Sequence, residues 1–586
     1  MVGVVVRRIR FAHMAWAAAT LAGGPAVAQP AVTRPIAPPG LAAPPLERVT
    51  PLTPGVPSPP PGIEVPEAPA AAPPAGSESV FLTPRAFSVE GVTAYPPARI
   101  AQLTAPLVGQ RIAASEVFTL AQRIERLYRD DGYFLTVVFV PQQQVADGTV
   151  RIRVVEGYIA NVTIEGDPGP ARTRIERILN RITESRPARI DQVERQLLLA
   201  DDIPGTGIRT VLRRGAAPGA SDMVVQISHT PFDAVGAIDN RGSRYQGPQQ
   251  AYGNIGYNSL TRLGDRLEAQ FFTTLDREQN FLQGNYIVPL TDSGLRLRAY
   301  GGGGRSEPGL DLRDIGYEND LGVGGLALTY PLIRTRDRNL TLGADVNFYN
   351  SRTSVGRASP LSGKVLQAQS DVRPLRFGFD GDLRDSWNGL NRISVRFSKG
   401  LDIFNPTAPD NPRNDRPFSD PTFGKVAGEF SRLQGLWAAE SWSLNILGVV
   451  AGQYTTDILP ASERFYLGGD RLGRGYYNGE VAGDRVIAGT LELQFNFAMV
   501  NDLDQPESLI PIQLYAFYDV GGARNLSAFD IPWQRIASTG FGARVDVSQR
   551  VSFEMEGTHV IDRNIGGPNI PPIAANWFFG RLIVRY

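Results

Sequence analysis

The sequence contains no cysteine and only three histidines among its 586 residues. The absence of cysteine excludes disulfides, thiol catalysis and cysteine-based zinc sites. Only His229 and His559 follow the first thirty residues. They lie far apart in sequence, which excludes a histidine-rich metal site and disfavours a histidine-based catalytic triad. We therefore expect no catalytic residues, no metal and no cofactor.

An excess of charge of one sign is also missing, since 59 Lys plus Arg balance 59 Asp plus Glu. Nucleic-acid-binding proteins usually concentrate basic residues on one face, so no nucleic-acid partner is expected. No phosphate-binding loop ending in Gly-Lys-Ser/Thr occurs, and "GVGGLA" at residues 322–327 precedes "LTYP", which indicates a strand rather than a nucleotide-binding helix. These patterns disfavour an enzyme.

Long uncharged hydrophobic runs are absent, but the amino terminus has the pattern of a secretory signal peptide. Arginines at positions 7, 8 and 10 precede a short apolar run and "AVA" at residues 26–28. The run is shorter than the ~20 apolar residues of a spanning helix, which disfavours the alternative of a membrane anchor. We predict a signal peptide at 1–28. Any later membrane span would have to be a β-strand.

Residues 29–78 contain about one proline in three and are predicted to form an extended linker or tether. Two modules with a βααββ order of elements are predicted to follow, at 79–157 and 158–231. The best helical signal is "SEVFTLAQRIERLYRDDG", with Ser115 as the expected N-cap. Its apolar residues recur at helical spacing. They are Val117, Leu120, Ala121, Ile124, Leu127 and Tyr128.

From residue 232 to the end, strand-length segments alternate apolar and polar residues. In "LELQFNF", Leu491 and Leu493 point one way, and Glu492 and Gln494 point the other. A soluble sandwich would bury the apolar face, whereas a membrane barrel exposes it to lipid. The signal peptide and a final strand ending on Tyr586 favour the barrel. About 355 residues at about 22 per strand and connection predict 16 strands.

Several stretches resemble the outer-membrane transporters of two-partner secretion, of the haemolysin secretion/activation (ShlB/FhaC/HecB) type. "GYFLTVVFVPQQQVADGTVRIRVVEGYI" at 132–159 and "LLLADDIPGTGI" at 197–208 are similar to their POTRA domains. "AIDNRGSRYQG" at 237–247 resembles the first barrel strand. "LGGDRLGRGYYNGEVAGD" at 467–484 resembles the sixth extracellular loop, and "LYAFYDVGGA" at 514–523 the strand that contacts it.

The resemblance implies two tandem POTRA domains, at 79–157 and 158–231, before a 16-stranded antiparallel transmembrane barrel at 232–586. It also implies that loop 467–484 folds into the barrel, where the permanent cation of Arg474 needs an acceptor. The resemblance nominates Asp519 as this acceptor. The expected contact motif comprises Arg474, Gly475, Tyr476, Phe517, Asp519 and Gly521. The alternative is a solvated turn. Family members often begin with a helix that plugs the pore of the barrel. The Pro-rich segment of this chain departs from that pattern, because proline disfavours helix formation.

The function implied is export of a large unfolded partner of haemolysin or adhesin type, captured by the POTRA domains through β-augmentation. The candidate cargo-binding residues are Val193, Leu197, Leu198, Ile208 and Val211. Outer-membrane lipid and the barrel assembly machinery are further expected partners of a monomer in the outer membrane, with its POTRA domains in the periplasm. The alternatives are an assembly factor that inserts other barrels, a passive porin and a barrel-embedded hydrolase.

Overall fold

The computed structural model describes residues 63–64, 73–145, 147–356, 364–502, 505–563, 565 and 573–586. The predicted signal peptide at 1–28 lies outside these residues, as does most of the predicted linker at 29–78. Two small α/β modules precede a closed β-barrel. Within the described residues, no helix is long and apolar enough to cross a membrane.

The first module places two helices, Pro97–Thr104 and Ala114–Asp130, against a three-stranded sheet. Its central strand Thr149–Val155 pairs parallel with Ala86–Glu90 and antiparallel with Val137–Phe139. The side chains that the longer helix buries are Val117, Leu120, Ala121, Ile124 and Tyr128. Five of the six residues predicted from helical periodicity are therefore buried, and the sixth, Leu127, is partly buried against the same core.

The predicted N-cap of the longer helix was wrong. The helix begins at Ala114 and Ala113 occupies the cap position without a side-chain hydrogen bond. Ser115 lies inside the first turn. The chain enters the helix directly from the short strand Ile112–Ala113, which pairs with Phe81–Leu82, so tertiary contacts fix the helix start one residue before the serine.

The second module has the same order of elements, with helices Arg172–Asn180 and Ile190–Asp201. Strand Ala220–His229 is central, between Tyr158–Gly166 and Thr206–Arg214. Two residues of the predicted linker, Ile63–Glu64, add a parallel strand to the outer edge of Thr206–Arg214. The Pro-rich segment thus makes a ladder contact that its composition did not suggest.

Sixteen antiparallel strands close the barrel, and its eighth strand is divided in two at Arg373. Closure joins Val235–Asp239 of the first strand to Arg581–Arg585 of the last. The strands are β1 Phe232–Asp239, β2 Gln250–Asn258, β3 Arg266–Thr274, β4 Gln279–Pro289, β5 Arg296–Ser306, β6 Glu318–Arg334, β7 Arg338–Val355, β8 Val365–Val372 with Pro374–Arg384, β9 Gly389–Gly400, β10 Gly424–Ala438, β11 Trp442–Thr455, β12 Arg485–Asp502, β13 Gln505–Arg524, β14 Trp533–Asp546, β15 Val551–Val560 and β16 Asn576–Arg585.

The strands expose their apolar face to the outside of the barrel. On β12, Leu491 and Leu493 are exposed, whereas Glu492 and Gln494 are buried in the lumen. A soluble sandwich would bury the leucines and expose the polar residues. The alternation therefore matches a membrane barrel, in which the outer face is apolar and the interior is polar.

The second module contacts the turns at one end of the barrel, here called the proximal end. Arg174 donates to the carbonyl of Pro289 at 2.6 Å, and Arg177 pairs with Asp292 at 2.9 Å. Three connections at the opposite, distal end are used below: loop 5 (401–423), loop 6 (456–484) and loop 7 (525–532). They follow β9, β11 and β13 respectively.

Candidate functional site

Loop 6 folds back into the barrel and packs on the inner wall. Its short strands Phe465–Leu467 and Val481–Gly483 form a hairpin. Apolar side chains of this hairpin join a buried cluster with the wall residues Ala523, Ile536 and Val560. The loop tip is thereby carried to the inner faces of β12, β13 and β14, so the alternative of a solvated turn does not describe its surroundings.

Arg474 lies at this tip and is held by Asp519 of β13. The exposed fractions are 4 % for Arg474 and 0 % for Asp519. Nη2 of Arg474 donates to Oδ1 of Asp519 at 2.9 Å, and Nε donates to Oδ2 at 3.1 Å. The backbone N–H of Arg474 also donates to Oδ2, at 2.8 Å. One carboxylate therefore receives both the planar fork of the guanidinium and the main chain of the loop.

A second carboxylate, Glu492 of β12, pairs with Nη1 of Arg474 in the same site. Thr490 accepts a hydrogen bond from Nη2 at 2.7 Å and donates to Asp519 at 2.5 Å. The ring centroid of Phe517 lies 3.5 Å from the guanidinium carbon, a cation–π contact. The site therefore compensates one buried cation with two anions and an aromatic face.

Two glycines allow the loop backbone to reach the wall. Gly473 has φ of +97°, and a Cβ there would lie 2.4 Å from Cδ1 of Ile536. A Cβ on Gly475 would lie 2.7 Å from Cβ of Ser538, whose hydroxyl accepts the Gly475 N–H at 3.2 Å. Side chains at either position would displace the arginine from its carboxylates.

Tyr476 extends the contact to β14 and to Asp562, which follows β15. Its side chain is buried, and its hydroxyl donates to the carbonyl of Asp562 at 2.6 Å. The same hydroxyl accepts the N–H of Ala537 at 2.9 Å. On β13, a Cβ at Gly521 would lie 2.9 Å from that of Ala488, so this residue gives room for close packing behind the loop.

The charges around the motif extend over several more strands, and the sequence reasoning did not assign them. Arg544 of β14 donates to Glu492 at 2.8 Å and to Glu554 of β15 at 3.0 Å. Arg581 of β16 then donates to Asp239 of β1 at 3.0 Å. The available signal was a charged residue at an inward position of an alternating strand, as at Glu492.

Arg581 also contacts loop 6, because its Nη2 donates to Asp470 at 3.0 Å. Next to it, Arg241 pairs with Glu556 at 2.5 Å, and its guanidinium carbon lies 4.2 Å from the centroid of the Phe579 ring. Loop 6 is therefore linked to both strands that close the barrel.

The predicted cargo-binding residues have two different positions in the second module. Val193, Leu197 and Ile208 are buried in its core, and Leu198 is buried outside that core cluster, with exposed fractions of 0–6 % for the four. Val211 is 37 % exposed on the edge strand Thr206–Arg214. Alternation along that strand puts Val211 on the face turned away from the buried side chains. The three core residues thus lie beneath the strand, and only Val211 of the five predicted residues is accessible.

The Val-x-Glu-Gly sequence of the first module contributes a structural carboxylate, Glu156. It accepts the N–H groups of Thr93 and Ala94 at 2.8 and 2.9 Å and the hydroxyl of Tyr128 at 2.6 Å. Burial raises the pKa of Glu156, but these hydrogen bonds outweigh it and hold the pKa below its ordinary value. Burial, and then the hydrogen bond to Glu156, raise the pKa of Tyr128.

No group of three or more histidine, cysteine, aspartate or glutamate side chains that could hold a metal occurs in the described part of the chain. The buried carboxylates of the lumen are instead compensated by arginines, as at Asp519 and Glu492. This arrangement can hold a loop against a wall, and its contacts are ion pairs and hydrogen bonds that can be exchanged.

Two protein-family models match the chain. The model for the haemolysin secretion/activation protein ShlB/FhaC/HecB matches residues 219–545, more than half of the chain. The model for the ShlB-type POTRA domain matches residues 82–157, the first module.

Among curated proteins, the chain is 22 % identical over 395 residues to the "Heme/hemopexin transporter protein HuxB" of Haemophilus influenzae (strain 86-028NP), covering 66 % of this chain and 67 % of that protein. It is 22 % identical over 416 residues to the "Outer membrane transporter CdiB" of Dickeya dadantii (strain 3937), covering 65 % and 67 %. CdiB from Escherichia coli has a similar solved structure, with a TM-score of 0.69 and 18 % identity over 89 % of this chain and 93 % of that one. CdiB from Acinetobacter baumannii gives a TM-score of 0.59 with 13 % identity, over 86 % and 90 %.

Proposed function

The chain belongs to the haemolysin secretion/activation protein family ShlB/FhaC/HecB, and we propose that it captures one unfolded secreted partner by strand addition before exporting it. It is an outer-membrane transporter of two-partner secretion and not an enzyme, with its POTRA domain in the periplasm. Export places the proximal end of the barrel in the periplasm and the distal end outside the cell.

The observation that carries the proposed mechanism is the inward-folded loop 6, held in the lumen by Arg474. A charge pair at ~4 Å is worth about 1 kcal/mol in water and about 4 kcal/mol at an effective dielectric of 20, before desolvation. Such a contact positions the loop and can still be exchanged when a polypeptide enters. We therefore assign Arg474, Gly475, Tyr476, Phe517, Asp519 and Gly521 to the positioning of loop 6 during export.

We assign cargo capture to the edge strand Thr206–Arg214 of the second module. The parallel pairing of Ile63–Glu64 with Thr210 and Val211 supports this assignment, because this strand already accepts one extended segment, which an incoming cargo segment would replace at these two residues. Main-chain hydrogen bonds give affinity without a sequence requirement. Val211 supplies an apolar contact on the open face, and Val193, Leu197, Leu198 and Ile208 keep the strand in place.

The second module is proposed to be a POTRA domain as well, with boundaries at 79–157 and 158–231. Its support is the repeated order of strands and helices. The remaining boundaries, a signal peptide at 1–28, a linker at 29–78 and a barrel at 232–586, complete the proposed organisation.

Other partners follow from the exposed outer face and from the route to the membrane. Leucines such as Leu491 and Leu493 provide a lipid contact. We propose that the barrel assembly machinery inserts the chain and that the inserted protein is a monomer. An assembly-factor role remains the second candidate from the sequence, but such factors usually carry more POTRA domains than the two proposed here.

The test of this function is export of the partner encoded beside the transporter. Cells that express both chains should release the partner into the medium, and cells that lack the transporter should retain it. Matched variants Val211→Asp and Arg209→Asp change neighbouring exposed residues on the same face of the edge strand. We expect export to fall further with Val211→Asp. A wild-type transporter that releases no partner would contradict the function, and equal export by the two variants would contradict the capture site.

A further inference from the structure

Loop 5 crosses the distal end of the barrel and covers the unpaired edge of β8. The N–H of Gln369 donates to the carbonyl of Arg413 at 2.7 Å, and the N–H of Asp415 donates to the carbonyl of Gln369 at 3.1 Å. The N–H of Thr407 donates to the carbonyl of Asp371 at 3.0 Å. This stretch of the wall is therefore closed by the loop where the next strand does not reach.

Arg416 of loop 5 is completely buried, and its guanidinium joins three loops. Nη1 and Nη2 donate to the two oxygens of Asp484, at the end of loop 6, at 2.5 and 2.7 Å. Nε donates to Asp530 of loop 7 at 2.8 Å, and Nη2 lies 2.7 Å from the same carboxylate. Nη1 also donates to the carbonyl of Leu459 in loop 6 at 2.7 Å. These five contacts match the five N–H donors of a guanidinium.

Asp484 also accepts main-chain hydrogen bonds from two of the three loops. The N–H of Leu459 donates to it at 3.2 Å and the N–H of Leu526 donates to it at 2.7 Å. Asp484, like Arg416, has an exposed fraction of 0 % for its side chain. A buried pair with every polar atom engaged holds its neighbours in one arrangement, because loss of either partner leaves an uncompensated charge.

Apolar contacts reinforce the same junction on both sides. Phe418 of loop 5 and Phe529 of loop 7 stack on the surface with ring centroids 5.9 Å apart. Below them, Phe423 of loop 5 and Leu459 of loop 6 are fully buried against inward-facing side chains of the wall, such as Tyr252. The three loops therefore meet over the lumen and not beside it.

We propose that Arg416 is a positioning residue that holds the distal exit of the barrel closed, and that loops 5, 6 and 7 separate when the exported chain leaves. The inference rests on the proposed export function. It adds a second contact to the one at Arg474: Arg474 fixes the tip of loop 6 to the wall, whereas Arg416 fixes the base of loop 6 to the two neighbouring loops.

The first experiment locks the junction with a reversible crosslink. The chain has no cysteine, so Phe418→Cys with Phe529→Cys introduces the only two thiols, at exposed positions in loops 5 and 7. Treatment with a short thiol-specific crosslinker should stop export of the partner, and cleavage of the crosslink should restore it. Each single cysteine variant, treated in the same way, should export normally.

Export that continues through a fully crosslinked pair would overturn the proposal. A wild-type transporter that exports nothing would instead overturn the proposed function, so the two failures are distinguishable.

The second experiment measures the closed state without cargo. Purified Arg416→Ala in planar lipid bilayers should show a higher ion conductance than wild type, with Arg416→Lys in between because an ammonium cannot present the planar fork. Arg413→Ala removes an exposed side chain from the same loop, keeps the main-chain carbonyl that Gln369 contacts, and should leave the conductance unchanged. A folded Arg416→Ala barrel with wild-type conductance would overturn the proposal.

Discussion

At the scale of single residues, the lumen compensates the buried arginines around loop 6 with carboxylates that lie on neighbouring strands. Arg474 has Asp519 and Glu492, and Arg544 has Glu492 and Glu554. Removal of one member of a buried pair costs about 3–5 kcal/mol, because the remaining charge loses its partner in a place that water reaches poorly. Single substitutions within these buried pairs should therefore have large effects.

For Arg474→Ala, we expect export of the partner to fall while the folded barrel remains in the membrane. Lysine should restore export only in part, since it cannot donate to Asp519 with two parallel N–H groups. The measurement is partner in the medium, together with the amount of barrel that migrates as a folded band on an unheated gel.

The charge swap Arg474→Asp with Asp519→Arg examines direct pairing. Export above that of both single swaps would support the contact, although Glu492 next to the site still favours a cation on the loop. Strictly additive losses, at unchanged barrel levels, would indicate that the two residues act separately.

Asp415, next to Arg416, provides a pH-dependent contact in loop 5. Burial raises its pKa to about 7, against the opposing effects of a hydrogen bond with Ser370 and the charges of Arg416 and Arg464. Because the pKa of Asp415 in the folded protein lies above its ordinary 3.8, protonation of Asp415 stabilises the fold. This stabilisation is complete below a pH of about 4 and is lost as the pH rises through about 7. Tyr317, whose pKa is raised chiefly by burial, is close enough for the charge of Asp415 to act on it.

A nitroxide on Phe418→Cys should therefore be more mobile at pH 8 than at pH 5, as measured by electron paramagnetic resonance. Asp415→Asn keeps the side chain neutral and should remove most of this pH response. Asp410→Asn changes an exposed carboxylate of the same loop and serves as the control. An equal pH response with and without Asp415 would contradict the assignment.

At the scale of elements, the junction between β1 and β16 closes the barrel. It is the shortest of the strand pairings in the described part of the wall. Five residues of each strand are paired in register, Val235–Asp239 with Arg581–Arg585, and Ala234 and Tyr586 exchange backbone hydrogen bonds beside them. Arg581 reinforces it by contacts with Asp239 on β1 and Asp470 in loop 6. The side chain thus compensates for part of the backbone pairing that the short first strand does not supply.

We expect Arg581→Ala to lower the temperature at which the folded gel band is lost, because Asp239 and Asp470 are left without this cation. Arg396→Ala, which removes a more exposed lumen pair with Asp380 between β8 and β9, is a control away from the junction. Equal shifts in the two variants would indicate that the position at the junction has no special importance.

The two modules form elements with cores of their own, separate from the barrel. The first core contains Leu120, Ile124 and Ile152, and the second contains Ile175 and Leu197. A fragment of residues 79–231 should therefore be soluble and folded, with mixed helix and strand signals in circular dichroism. A random-coil spectrum would contradict the assignment of two modules.

At the scale of the whole molecule, the modules and the exit lie at opposite ends of one barrel. Deletion of residues 79–157 or of 158–231 should abolish export and leave the barrel inserted, since capture and passage use different parts of the chain. The measurement is partner in the medium against the heat-modifiable barrel in the membrane. Export at the normal level by a barrel without its modules would contradict capture by strand addition.

The amino-acid sequence by itself determined the class of fold, and the resemblance of its motifs to a known family nominated Asp519 as the partner of Arg474. Alternation with period two depends only on neighbouring residues, so it gave the faces of strands such as β12 and, with the length, the number of strands. Helical spacing gave the buried residues of the longer helix in the same way. The motif around Arg474 added the expected contact with β13.

Only the tertiary structure decided which residues meet across the lumen. Glu492 joins Arg474 because β12 and β13 are adjacent and loop 6, which precedes β12, folds back against their inner faces. Arg416 meets Asp484 and Asp530 because three loops converge at one end. Such contacts join residues from 18 to 114 positions apart. They depend on strand register and loop direction, which neighbouring residues do not encode. The same reason placed Leu197 and Ile208 in a core and left Val211 accessible at the edge.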